Sequence, residues 1–593
     1  MNYFLYKRTM ITIGLLGLVS TASAQLPPVF DSSRMASVQN TATVRRYLSP
    51  EKITWQTPNA SGASIANAAR FLLPGNGQAD LANQNMCVLK SSATAHPAIL
   101  FDFGTELHGG LQLVTGMYKS GKPVKLRVRF GESVSEAMSD IEPSKNATND
   151  HAVRDMVVDV PWLGKLEVGN TGFRFVRIDL LDDNAALQLK EVRAIFVYRD
   201  LPYLGSFKCS DELLNKIWLT GAYTVHLNMQ DYLWDGIKRD RLVWIGDMHP
   251  EISTISAVFG YNEVVPHSLD LSRDITPIPQ YMNGMVSYSM WWVLIQRDWY
   301  QHTGNRTYLQ QQAAYLKGLL DHLCKKIDAS NSEDLNDGTR FLDWPSSENK
   351  PGIHAGLQAM MIMTLKAGAD LSKVLKDEAT VQQCEAAVAR LKKNVPDANG
   401  SKQAAALLAL ADLVPAEKIN REILSVGGVK DYSTFYGYYM LQAKAKAGDY
   451  QGGLNDIRTY WGAMLKLGAT TFWEDFNMDW LPGAARIDTL VQPGQKDIHG
   501  DYGAYCYKGF RHSLCHGWAS GPTPWLTEHV LGISVVEPGC RVIRVAPHLG
   551  DLTFAEGTFP TPYGVVTVKH TRLANGKIQS DIKAPAQVKI IRE

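Results

Sequence analysis

Apolar and polar positions alternate in the first third of the chain. Val124, Leu126, Val128 and Phe130 are interleaved with Lys125, Arg127 and Arg129, the period of two expected of a half-buried strand. Ser120-Gly121-Lys122 before them reads as a turn, and Val176, Ile178 and Leu180 alternate in the same way with Arg177 and Asp179. Short strands punctuated by Gly and Pro predict a β-sandwich of jelly-roll type over residues 25–205. Near residue 209 the period lengthens. Ser210 is placed to cap a helix with Asp211 and Glu212 in its first turn, and Leu214, Ile217, Trp218, Ala222, Val225 and Met229 follow at helical spacing. Further stripes (Ala313, Leu316, Leu319, Leu320, Leu323; then the Ala/Leu-rich stretch 402–413) continue the helical pattern over 206–535. No fixed repeat supports a solenoid, which leaves a toroid of antiparallel helix pairs. Residues 536–593 return to β: Val566 and Val568 lead through Asn575-Gly576 to Ile578 and Ile582, a hairpin signal.

The first 24 residues depart from all of this. Lys7 and Arg8 precede an apolar run from Met10 to Val19, and Ala22-Ser23-Ala24 offers a small-x-small cleavage site, the pattern of a signal peptide. The run is short for a membrane span, and no later stretch reaches the ~18 apolar residues one needs, so an exported protein without a membrane span is expected, periplasmic or secreted. A net charge of +1 gives no reason to expect nucleic acid or an anionic membrane as partner. The seven cysteines are scattered without metal-ligand spacing, so neither metal nor cofactor is expected. Cys506 and Cys515 could pair, though buried free thiols are the plainer reading. Oligomeric state is not legible.

Two acidic clusters stand out. Asp235-Gly236-Ile237-Lys238-Arg239-Asp240-Arg241-Leu242-Val243-Trp244-Ile245-Gly246-Asp247 follows the first strong helix. Its embedded apolar residues argue that the segment packs inward and carries its charges with it. Burial raises a carboxylate's pKa and a neighbouring cation lowers it, so such a cluster can keep one acid protonated and another ionised. A structural salt-bridge network is the alternative. The second cluster, Gly468-Ala469-Thr470-Thr471-Phe472-Trp473-Glu474-Asp475, sets a carboxylate beside Trp. It reads equally as a capping box, with Thr471 as cap and Glu474 at its third position. If loops at one end of a helical toroid converge on a cleft, the two clusters supply the paired carboxylates of glycoside hydrolysis.

The first segment resembles the signature of the bacterial α-L-rhamnosidases, glycoside hydrolase family 78. The Glu474 segment resembles that family's Thr-Thr-x-Trp-Glu motif, and Ser513-Leu514-Cys515-His516 its Ser-Leu-Asn-His. Phe341-Leu342-Asp343-Trp344 and His302-Thr303-Gly304-Asn305 resemble two further elements, in order across residues 200–545. The resemblance implies an (α/α)6 barrel flanked by β-domains and an inverting exo-glycosidase that removes terminal rhamnose. It implies Glu474 as general base and Asp240 as general acid. Asp235, Asp247, Trp244, His516, Trp344 and one of Trp291 or Trp292 would contact the sugar, and Arg241 would hold the carboxylates. Asp240 stands where the family has Glu. The carboxyl retreats by about 1 Å, a displacement that can cost roughly 10²-fold in rate, so either the backbone compensates, or another residue is the acid, with His249 and Glu251 just beyond the motif offering a carboxylate, or activity is weak. The competing readings are a carbohydrate-binding protein on a decayed enzyme fold, and a glycosidase of other specificity or a lyase. The lyase ranks last, because no basic cluster for uronates is evident.

Overall fold

The computed structural model describes residues 42–59, 62–81, 84–117 and 121–593. The signal-peptide pattern at 1–24 and Ser120 of the expected turn lie outside them. The N-terminal domain is a folded-over sheet of nine strands. Its spine is three long strands, Ala98–Thr115, Gly164–Leu180 and Ala186–Arg199. The first half of Ala98–Thr115 pairs with Lys52–Gln56 and the second half with Ala186–Arg199, while its pairing with Gly164–Leu180 breaks register after Asp102 and after Gly109. Gly109 permits the change of course: its φ is 141°, and a Cβ there would sit 2.0 Å from the Ile195 carbonyl oxygen. The predicted strand at 124–130 is present as Val124–Gly131, with Val124, Leu126, Val128 and Phe130 in the core beside Phe101, Leu111 and Phe173.

Twelve helical segments among the described residues form two rings. The inner ring is Ile245–Val258, Val286–Thr303, Lys350–Leu375, Lys402–Leu410, Gly437–Lys446, and Pro522–Trp525 with its continuation Leu526–Val530. Each packs on the next and the last packs on the first, closing an (α/α)6 barrel. The outer partners are Glu212–Asn228, Val264–Asp274, Arg306–Cys324, Glu378–Leu391, Ala416–Ile419 continuing through Leu424, and Tyr450–Lys466. The sequence explains which ring each helix joins. Outer Arg306–Cys324 buries a narrow stripe through Leu316, Leu319, Leu320 and Leu323. Inner Lys350–Leu375 is buried around most of its circumference, as a helix with neighbours on several sides must be.

The cap of Glu212–Asn228 is Asp211, which accepts from the Leu213 and Leu214 amides, and not Ser210. Ser210 Oγ instead accepts from Thr553 N at 3.0 Å. The reason is that residues 206–209, counted with the helices from sequence, form a strand paired to Phe554–Thr561 of the C-terminal sheet, which uses Ser210 to continue that contact. The expected hairpin is present as Gly564–Arg572 against Ile578–Lys583, with Gly576 at φ 81° in its turn.

The loops that lead into inner helices carry the polar residues of the barrel mouth, and the N-terminal sheet covers them. Lys238 is a buried charged contact between the two. Its Nζ donates to the carbonyls of Phe510 (2.6 Å) and His512 (3.0 Å) and pairs with Glu136 at 2.8 Å and Glu132 at 3.3 Å. Both carboxylates are buried, and burial pushes Glu132 up to about 7. Removing the cation leaves them uncompensated. Lys238→Met is expected to lower stability by about 3–5 kcal/mol at pH 8. At pH 5, where Glu132 takes up a proton, the loss should be smaller. Thermal denaturation at the two pH values checks this, and equal losses would contradict it.

Candidate active site

Asp235 closes the first acidic loop on itself: its amide donates to the Leu242 carbonyl (3.1 Å) and its Oδ1 accepts from Leu242 N (3.0 Å). At the tip, Asp240 and Arg241 both lie in the left-handed region, with φ 54° and 55°. That conformation costs roughly 1–2 kcal/mol per L-residue, so the surroundings must hold it. Ile237 packs inward with Leu227 and Cys515 and carries the neighbouring cations into the protein, whereas of the apolar run Leu242 to Ile245 expected to do this only Ile245 is fully buried and Leu242 is exposed.

Arg239 is the centre of the site. Nη2 donates to Glu474 Oε1 at 2.6 Å, Nη1 to Asp240 Oδ1 at 3.2 Å, and Nε to the Arg511 carbonyl at 2.8 Å, with the guanidinium 5.0 Å from the Tyr507 ring centroid. One planar cation thus joins the two carboxylates singled out from sequence. Glu474 Oε2 accepts from Ser513 N (3.1 Å). His516 lies beyond, with Nε2 2.9 Å from Asp247 Oδ2 and Nδ1 3.6 Å from Glu474 Oε1.

The electrostatics separate these acids. Burial pushes Glu474 upward, but Arg239, then His516 and His512, outweigh it and hold the carboxyl below its ordinary value, so it is ionised at neutral pH. Burial opposes a charge on His516, yet Glu474 and Asp247 raise it to about 9, so it is a cation. Asp247 is raised, and Asp235 and Glu251 are raised well above the ordinary range, each chiefly by burial. Asp475 is pushed up to about 7 by burial, then by Asp343 and Glu474. One firmly ionised carboxylate among acids that favour the proton is the contrast that acid–base chemistry uses.

Trp344 is half-buried; its Nε1 donates to Tyr507 OH (2.6 Å) and its ring stacks on Tyr505 at 5.6 Å. The three rings make an aromatic wall next to Arg239. Trp244 stands at the start of helix Ile245–Val258, edge-on to Tyr288, whose hydroxyl donates to Asp247 at 3.4 Å.

Other expectations are corrected. Arg241 touches no carboxylate: it donates to the carbonyls of Asn170 (3.0 Å) and His151 (3.2 Å), because the left-handed backbone turns it toward the N-terminal sheet. The clamp is Arg239. Trp291 and Trp292 are core residues. Trp291 stacks between Tyr439 and His249 inside the barrel, and Trp292 donates to the Leu269 carbonyl on the outer ring. Glu251 is sealed beneath Gly517, where a Cβ would lie 1.6 Å from its Oε1, so it cannot stand in for Asp240. His249 pairs with Asp298 (3.0 Å) and lines a separate cavity of about 360 Å³ with Asp298, His302, Tyr438 and Tyr439. Thr471 caps nothing; its hydroxyl donates to the Leu514 carbonyl. The thiols of Cys506 and Cys515 are free. Glu132, Glu136 and His499 are close enough together to hold a cation, but the Lys238 ammonium fills that space. No helix of the described residues is long and apolar enough to cross a membrane.

Sequence reasoning missed His151, Arg511 and the two tyrosines of the aromatic wall, which carry no local signal. Arg239 was within the motif and could have been found by asking which cation had a partner on each side.

A family model described as the six-hairpin glycosidase domain of bacterial α-L-rhamnosidases matches residues 202–530, and one for the C-terminal domain of the same proteins matches 532–591. A curated α-L-rhamnosidase of Alteromonas sp. (strain LOR) is 24% identical over 81% of this chain and 54% of its own length. The chain spans about half the length of the curated relatives it matches. Among solved structures, a family 78 rhamnosidase of Bacillus sp. GL1 is similar at TM-score 0.69, with 22% identity over 86% of this chain and 54% of that one. A Klebsiella oxytoca rhamnosidase described with rhamnose bound is similar at TM-score 0.63, with 18% identity over 82% of this chain and 96% of that one.

His516 supplies a pH test. Its folded-state pKa is raised from 6.5 to about 9, so its contribution is full below pH 6.5 and disappears as pH rises through about 9. His516→Gln lacks that contribution. The stability gap between wild type and variant, on the order of 3 kcal/mol at most, is expected to close between pH 6.5 and 9. A gap that stays constant over this range in thermal melts would contradict the assignment.

Proposed function

With more than half of its length matched by the six-hairpin domain model, this chain belongs to the bacterial α-L-rhamnosidase family, and on that premise we propose that it is an inverting exo-glycosidase that removes terminal α-L-rhamnose. The observation that carries the proposal is the bridge Asp240–Arg239–Glu474, with Glu474 held ionised between two cations. In this reading Glu474 takes a proton from water as general base, and that water attacks the anomeric carbon. Asp240 gives a proton to the departing glycosidic oxygen. Asp235, Asp247 and His516 offer donors and acceptors to the sugar hydroxyls, and the Trp344–Tyr505–Tyr507 wall offers an apolar face. The rhamnose named with the Klebsiella oxytoca neighbour supports the choice of sugar. An N-terminal signal peptide would place the activity outside the cytoplasm, on glycans or glycosides met there.

The test is release of 4-nitrophenol from 4-nitrophenyl α-L-rhamnopyranoside within a panel of aryl glycosides. Glu474→Gln is expected to lower kcat by at least ~10³-fold, since it removes the base, with the melting temperature unchanged within a few degrees. Proton NMR of the first turnover is expected to show β-L-rhamnose. Full activity in the variant would overturn the role of Glu474, and the α anomer appearing first would overturn inversion. Saturable rhamnose binding with no turnover on any glycoside would favour the carbohydrate-binding reading.

A further inference from the structure

We infer that His151, on a loop of the N-terminal sheet domain, is the positioning residue for Asp240. The inference rests on the hydrolase reading above and goes beyond it by making the β-domain part of the active site.

His151 Nδ1 lies 2.8 Å from Asp240 Oδ1, and His151 Nε2 lies 2.7 Å from Arg511 Nη2. A guanidinium only donates, so Nε2 accepts and must be the unprotonated nitrogen. The ring proton is therefore on Nδ1 and is donated to Asp240. Arg511 is fixed in turn by Asp150 Oδ2 at 2.5 Å, and its carbonyl accepts from Arg239 Nε at 2.8 Å. Arg239 Nη1 then returns to Asp240 Oδ1 at 3.2 Å. The result is a closed cycle, Arg239–Asp240–His151–Arg511, built from the acidic loop, the N-terminal domain and the loop before the last inner helix.

The same residue also restrains the backbone. Arg241 Nη2 donates to the His151 carbonyl, so His151 holds the side chain of one left-handed residue and, through its own main chain, the next. Two consecutive non-glycine residues at positive φ persist only where neighbours fix them. Both donors converge on Oδ1, and among the described residues Oδ2 accepts no hydrogen bond. The cycle thus leaves one carboxyl oxygen available to meet the glycosidic oxygen. Asp240 has a single methylene between Cα and its carboxyl, so loop geometry and the two donors on Oδ1, more than side-chain reach, set where the other oxygen lies.

The experiment compares His151→Ala and His151→Asn on two rhamnosides. Asn can replace the Nδ1 donor. An acid held in place matters for a leaving group that needs a proton and little for nitrophenolate. His151→Ala is expected to lower kcat by about 10²-fold on methyl α-L-rhamnopyranoside and by less than about threefold on the 4-nitrophenyl glycoside, with KM nearly unchanged. His151→Asn should recover most of the loss. His151→Ala should have no further effect once Asp240 is Ala. Equal losses on both substrates, or none on either, would overturn the inference. The contact is also read without turnover, by ¹⁵N NMR of the imidazole: a protonated Nδ1 and a bare Nε2 in wild type, disturbed by Asp240→Ala. If that signature is present in a protein that hydrolyses nothing, the hydrolase reading fails and the positioning contact stands. If it is absent, the inference fails whatever the activity.

Discussion

Two carboxylates brought close in a site shielded from water repel each other and are expensive to desolvate, so a cation has to be held between them. Arg239 is that cation. It touches Glu474 and Asp240 with separate nitrogens and spends its Nε on the Arg511 carbonyl, which leaves the planar group little freedom. Its neighbour Lys238 does the equivalent task on the other side of the loop, neutralising Glu132 and Glu136 beneath the N-terminal sheet. Lys238 and Arg239 are adjacent in the chain, so one short stretch supplies charge compensation to the candidate site and to the domain junction at once. The position of the loop, the ionisation of Glu474 and the seating of the β-domain depend on this pair.

The barrel makes the arrangement possible by bringing distant segments to one mouth. Loops before Ile245, Lys350, Gly437 and Pro522 contribute Asp235 to Trp244, Asp343 and Trp344, Thr434, and Glu474 with His516. They interlock through the backbone: Glu474 N donates to the Ser513 carbonyl, His516 N to Phe472, and Gly517 N to Asp235, while the Glu474 carbonyl accepts from Thr434 and Trp518. The β-domain is a working wall of this mouth, since Glu132 accepts from Leu514 N and His151 reaches Asp240.

Much of this was legible in the sequence because periodicity reports burial directly. Alternation at 124–130 and the 3–4 spacing at 316–323 indicate a strand and a helix that are present where expected, the helix in the outer ring. The motif residues also converge: Arg239 joins Asp240 to Glu474, His516 lies between Glu474 and Asp247, and the Asp235 carbonyl accepts from the Gly517 amide next to His516. What failed depended on side-chain direction, which spacing does not encode at positive φ. The resemblance points to Arg241 as the residue holding the carboxylates, and nothing in the string Lys-Arg-Asp-Arg reveals that the chain turns left-handed at Asp240 and leaves that task to Arg239. Trp291 was read as a sugar platform, yet a tryptophan on an inner helix one and a half turns from its start faces the barrel axis and is sealed by Tyr439. His151 and Arg511 are far apart in sequence and meet only through domain docking, so no local pattern could have paired them.

The most direct measurement of the central claim is the pH dependence of kcat/KM on an aryl rhamnoside for wild type beside Arg239→Met and Arg239→Lys. The base proposed here, Glu474, must be ionised to act, and Arg239 is the leading influence that holds it so against burial. Removing the guanidinium therefore raises the pKa of the base. The acid limb of the Met variant is predicted to move upward by roughly 1–3 pH units, with the Lys variant between it and wild type. An acid limb that stays in place while Arg239 is absent would contradict the account, because Glu474 would then owe its charge to something other than the bridge.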